Sequence, residues 1–274
     1  MVNAKRMKLL LILGILAGLS GILMLYISNI SMIIESFYFY YPGSIGVVCV
    51  IMIRIIVMSL MTYVMFSKWF KGEKQFLDDI PFLFGLFFLG IVFGKFIDLF
   101  VDFSFYSNPT QSLIISKIRF ILLAFDLIPM IFLSIGMLLF YMSINKNRVK
   151  IQNEHYRNKL RFCILLIILS IEIIMGILAP DLKVVGLFYP IVLIPSLLII
   201  IWLFWFTYQR KKLSEINSFI LTLGFGALLL SQTVRPVLQI IFSENPFMIT
   251  IAEVLDLSVF TIIFIGFLMK SNYT

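Results

Sequence analysis

The stretch Ile80–Phe103, IPFLFGLFFLGIVFGKFIDLFVDF, decides how the chain is read. It is long and apolar enough to cross a bilayer as one helix, since about 20 apolar residues span the hydrocarbon core. Within it, however, stand Lys95, Asp98 and Asp102. Spaced three and four apart, they share one face of a helix. A charged stripe on a lipid-embedded helix has to face other helices or water, because lipid cannot satisfy it.

The rest of the chain has the same character. Of 274 residues, 61% are hydrophobic and 13% charged. A soluble domain is closer to half apolar and a quarter charged, so lipid must take up the excess. Eight apolar runs predict eight spanning helices, at 8–28, 44–66, 80–102, 113–142, 161–179, 185–208, 218–241 and 248–269. The fourth is long enough to tilt or to project past the bilayer. The connections are short and leave no room for a soluble domain. The expected fold is therefore all-α, a polytopic membrane helical bundle forming a single integral membrane domain over 1–274, with candidate halves at 1–145 and 146–274.

Lys and Arg in the loops set the orientation. Lys5, Arg6 and Lys8 precede the first span, and Lys68, Lys71 and Lys74 follow the second. Lys146, Arg148, Lys150, Arg157, Lys159 and Arg161 lie between the fourth and fifth. Arg210, Lys211 and Lys212 follow the sixth, and Lys270 follows the eighth. Sixteen basic residues thus fall on one side, and Lys183 alone falls in the opposite loops. The bias predicts a cell-membrane protein with both termini cytoplasmic. It also accounts for the net charge of +8 without a nucleic-acid partner. Trp69, Trp202, Trp205 and Tyr208 fall near the cytoplasmic boundary, and Phe37 to Tyr41 supply an aromatic belt on the other side. The first run has a basic start, like a signal peptide, but no small-x-small cleavage site follows, so it reads as a span. The sequon Asn29-Ile30-Ser31 lies too close to the membrane to carry weight as a glycosylation site.

An internal duplication is suggested by "SNP" at 107–109 and "ENP" at 244–246. In that register Gly90, Gly94 and Asp98 fall on Ala227, Ser231 and Arg235, each set a row at i, i+4, i+8. In a slightly different register Asp126 and Gly136 match Asp256 and Gly266. The pattern reads as a 4 + 4 parallel pseudo-repeat, a plan found among transporters, and it brings Asp98 and Arg235 together near a pseudo-axis.

Away from the span ends the charged residues are Arg54, Lys95, Asp98, Arg119, Asp126, Glu172, Arg235, Glu253 and Asp256. Given the alternating direction of the spans, they collect in the outer half of the bilayer. Arg119 and Asp126 share a helix face, as do Glu253 and Asp256, and Ser231, Gln232, Arg235 and Gln239 make a polar stripe. A charge at a helix centre costs roughly 2.5–3.5 kcal/mol on insertion scales, so nine isolated charges would cost on the order of 20–30 kcal/mol. That exceeds the ~5–15 kcal/mol stability of an ordinary folded protein. The nine must be paired, hydrated or partly neutral. They form the expected ligand- or ion-binding set, unless their role is structural pairing. Pro129, Pro190, Pro195 and Pro236 lie in the same spans and free backbone carbonyls there.

Cys49 and Cys163 form neither a disulfide framework nor a metal or redox motif, and the single histidine, His155, lies in a polar stretch. No His-Glu-x-x-His helix or phosphate-binding loop occurs, and no cofactor is expected. The leading functional reading is a transporter-type protein that handles a small solute or ion. A membrane sensor whose basic cytoplasmic loops meet a protein partner is the alternative. An intramembrane lipid-modifying enzyme is a third reading, for which no nucleophile is visible.

Overall fold

The computed structural model describes residues 4–40, 44–72, 75–145, 153–211, 216–242 and 246–271. Tyr41, Pro42, Lys74, Lys146, Arg148, Lys150, Lys212, Glu244 and Asn245 lie outside the described residues, as do the side chains of Lys5, Phe39, Tyr40, Pro236 and Gln239. The long helices are α1 (Ala4–Ser28), α2 (Ser44–Phe70), α3 (Ile80–Ser107), α4 (Pro109–Asn145), α5 (Glu154–Leu178), α6 (Leu182–Gln209), α7 (Ser218–Phe242) and α8 (Pro246–Leu268). All eight are long and apolar enough to cross a membrane. A short helix, Ile30–Glu35, and a π-helical turn, Ser36–Tyr40, lie between α1 and α2. No strand occurs among the described residues. This is the outcome lipid dictates, because a helix satisfies its own backbone hydrogen bonds within one segment.

The helix starts follow local chemistry. Asn108 Oδ1 accepts from the Gln111 backbone N–H at 3.2 Å, Asp181 Oδ1 from Val184 at 2.9 Å and Asn217 Oδ1 from Ile220 at 3.2 Å. Each satisfies one of the amides that a helix N-terminus leaves without a partner. Pro109 opens α4, a position where the missing N–H costs nothing. The main departure from expectation is α5, which begins at Glu154 rather than 161 and takes Arg157, Lys159 and Arg161 into the helix. Hydropathy marks where lipid ends, whereas Lys and Arg are good helix formers, so a helix runs on past its apolar stretch.

The chain divides into two compact units. The first comprises Met1–Pro129 and Gly176–Val185 and is built on α3. Helix α2 packs along α3, with the Phe66 ring where a side chain on Gly85 would sit and Trp69 against Phe82, ring centres 4.7 Å apart. Phe84, Phe87, Phe88 and Phe100 of α3 are fully buried. Helix α1 meets α3 where Phe93 covers Gly18 and where the Tyr26 hydroxyl donates to the Phe96 carbonyl at 2.8 Å. The half-buried positions of α1, among them Met7, Leu11, Ile15, Ile22 and Leu25, recur every three or four residues along one face, and the remainder of the helix is mostly apolar and exposed.

The second unit comprises Met130–Met175 and Gly186–Thr274. Helices α7 and α8 pack against each other. A methyl group on Gly224 would lie 3.2 Å from the Ile263 backbone nitrogen, so the missing side chain lets the two backbones approach. The Asn217 N–H donates to the Gly266 carbonyl at 2.8 Å, tying the start of α7 to the end of α8. Phe204 of α6 stacks on Phe225 of α7 with ring centres 5.6 Å apart.

Candidate functional site

In the first unit the charged stripe of α3 finds its partner on α4. The Arg119 guanidinium donates through Nε to Asp98 Oδ1 at 2.8 Å and through Nη1 to Asp126 Oδ2 at 3.1 Å. Lys95 Nζ lies 3.6 Å from the other oxygen of Asp98. Arginine suits this position because its planar fork holds two carboxylates at once. It reaches Asp126 although the two are seven residues apart on one helix, a rise of about 10 Å.

Two glycines make the arrangement sterically allowed. A methyl group on Gly90 would lie 2.5 Å from Asp126 Oδ1, and one on Gly94 would lie 2.7 Å from the guanidinium carbon of Arg119. The row Gly90, Gly94 and Asp98 is thus a bed on α3. Its two bare positions admit the acid and the guanidinium, and its third supplies a counter-charge.

In the second unit the same types of group meet between α7 and α8. Arg235 Nη2 donates to Glu253 Oε1 at 2.8 Å, and its Nη1 lies 3.4 Å from Asp256 Oδ2. Ser231 Oγ donates to Asp256 Oδ1 at 2.5 Å. Asp256 and Glu253 are each only 1% exposed. Both units therefore hold one guanidinium between two carboxylates, on consecutive helices. The arginine belongs to the later helix of the first pair and to the earlier helix of the second.

Of the nine residues expected from sequence, Lys95, Asp98, Arg119 and Asp126 come together in the first unit. Arg235, Glu253 and Asp256 come together in the second. Arg54 is buried on α2 and Glu172 on α5. Asp98 and Arg235, which the duplication would bring together, each have ion-pair partners inside their own unit. On α7, Ser231 and Arg235 both reach acids of α8. Lys117 is half-buried and donates to the Ile177 carbonyl at 3.2 Å, a cation on the last turn of α5. Asn29 uses its side chain in hydrogen bonds to the Leu25 carbonyl and to Gln111, at 2.8 and 2.9 Å.

One buried charge was assigned differently by the sequence. Arg161, counted among the loop residues, is buried in α5. Its guanidinium lies over the Phe132 ring, 3.5 Å from the ring centre, and donates through Nε to the Phe132 carbonyl at 2.9 Å. Gly136 makes room, since a methyl group there would lie 2.5 Å from the guanidinium carbon. The usable signal was the pair Phe132 and Gly136 four residues apart on one face of α4, an aromatic ring beside a bare backbone.

No group of three or more His, Cys, Asp or Glu side chains among the described residues is placed to hold a metal ion. Compared with protein-family models, with curated proteins and with solved structures, the chain matches none.

Proposed function

We propose that the protein is a multi-pass membrane protein of transporter type, handling a small solute or ion through its two guanidinium–carboxylate groups. Both termini face the cytoplasm in this reading, and the protein lies in the cell membrane. The observation that carries it is the pair of arginines, Arg119 and Arg235, each held between two acids inside apolar helices. Such groups are poor stabilisers. Desolvating the charges offsets most of their attraction, and apolar replacements are often neutral or better. Charges within membrane spans are therefore read first as functional. Their accessibility also fits, because Asp98 and Arg235 keep 31% and 26% of their side chains exposed while Asp126 and Asp256 are buried. A solute reaching the exposed member would exchange partners with the buried one.

The sensor reading draws support from α4 alone, which carries Asp126, then Pro129, then the Phe132–Gly136 seat of Arg161. A change at the acid would be felt two turns further along the same helix.

The test is thermal unfolding of the purified protein in lipid, scanned with pH, monovalent and divalent cations and small anions. Asp126→Asn and Asp256→Asn are compared with wild type. A stabiliser of the wild type that loses its effect in the variants supports a binding role. No stabiliser for any form, with both variants merely less stable, would assign the groups to structure alone.

A further inference from the structure

One end of the second unit gathers basic and aromatic side chains from three helices. Near the end of α6, Trp202, Phe206 and Arg210 stand at i, i+4 and i+8 on one face. They stack in sequence. The Trp202 and Phe206 rings lie 5.5 Å apart at an interplanar angle of 19°, and the Arg210 guanidinium lies 5.7 Å from the Phe206 centre. Lys211 follows in the left-handed conformation, φ 52°, with its N–H donating to the Tyr208 carbonyl at 3.1 Å. The Tyr208 ring meets Phe219 at the start of α7, 5.1 Å between centres. The start of α7 is tied to the end of α8 through Asn217 and Gly266, just before Lys270.

Residues 202–211, 216–222 and 262–271 at these three helix ends contain no Asp or Glu, and the acid of the connection, Glu215, lies with Lys212 outside the described residues. Arg210, Lys211, Trp202 and Trp205 are all exposed. Cations at a helix C-terminus complement its dipole, but that effect requires neither three basic residues nor a ring ladder beneath one of them.

We propose that this end of the second unit is a docking site for an anionic phospholipid of the bilayer. Arg210 and Lys211 take the phosphate. The ladder below them spans about 12 Å of helix, covering the headgroup layer and the upper part of the hydrocarbon core. The glycerol and the first acyl carbons lie against Phe206 and Trp202. The chain continues over the exposed ridge of Leu198, Ile191 and Leu187. Charge selects the lipid, and the stacked rings fix the guanidinium at headgroup depth, where aromatic side chains are favoured.

The full-length protein, stripped of lipid in detergent, is titrated with phosphatidylglycerol, phosphatidylcholine or inorganic phosphate, and retained molecules are counted by native mass spectrometry. Wild type should retain phosphatidylglycerol in preference to phosphatidylcholine. The double variant Arg210→Gln/Lys211→Gln should lose that preference by about 25-fold, or about fivefold per basic residue. Lys8→Gln/Lys71→Gln, which removes equal charge elsewhere, should keep it. All these residues are exposed, so folding is not at stake, and an unchanged elution volume checks it. Undiminished preference in the Arg210/Lys211 variant would overturn the proposal, as would displacement of the lipid by inorganic phosphate, which would mark a site for free anions.

Discussion

The glycines of this chain divide by what stands opposite them, and that difference can be measured. Gly94 lies under the Arg119 guanidinium, whereas Gly14 has no atom within 4 Å of an added methyl group. Gly94→Ala must push Arg119 off its bed and away from Asp98 and Asp126, and overpacking of this kind costs about 1–3 kcal/mol. Gly14→Ala has open space and gains up to about 1 kcal/mol of helix propensity. The expected result is a lower unfolding midpoint for the first and an unchanged or higher one for the second, in one detergent. Equal shifts would mean that Arg119 does not rest on α3. At this scale the sequence was informative about charge but not about shelter. Nothing in the residue types separates Arg161, buried on Phe132, from Arg157 four positions earlier. The difference comes from the bare backbone of Gly136 on another helix.

Each pair of consecutive helices, α3 with α4 and α7 with α8, is closed by one arginine and two acids. Double-mutant cycles give the check. Asp98→Asn with Arg119→Gln, and Glu253→Gln with Arg235→Gln, should each show a coupling of about 0.5–3 kcal/mol in thermal unfolding, as direct contacts do. Asp98→Asn with Arg235→Gln tests the axial pairing suggested by the duplication: partial recovery in the double variant would support it, and fully additive losses would mean that the two residues do not couple. Much of this level was legible. The eight apolar runs correspond to the eight long helices, and the shared face of Gly90, Gly94 and Asp98 meets α4 as a face. What could not be read was which helix each stripe meets. A stripe of charges on one helix specifies that it is covered, whereas the covering helix is chosen by shape, through Gly90 and Gly94 here and Gly224 in the second unit. The helix ends were also obscured, as at α5, because basic residues end an apolar run without ending a helix.

For the whole molecule, the strong basic asymmetry predicts topology. Reporter fusions after Lys270 and near Ser107 should place the first in the cytoplasm and the second outside. A C-terminal reporter active only outside would overturn that orientation. The ion pairs add a consequence for how the chain is made. A growing chain offers its helices to the membrane in order, and α3 arrives carrying Lys95, Asp98 and Asp102 before Arg119 has been synthesised. Alone it faces a cost of roughly 2.5–3.5 kcal/mol for each charge near its centre. Lys95 offsets one acid within α3 itself, the further counter-charge Arg119 comes on the very next helix, and the acids of α8 follow Arg235 on α7 in the same way. A chain truncated after α3 should therefore insert that helix poorly, and one extended through α4 should insert it fully, as read by glycosylation tags placed on its far side. Full insertion of both would mean that α3 needs no partner. Neighbours in sequence are partners in charge, so these helices are suited to enter the membrane two at a time, and the order of synthesis keeps the first charge of each pair from waiting long for its opposite.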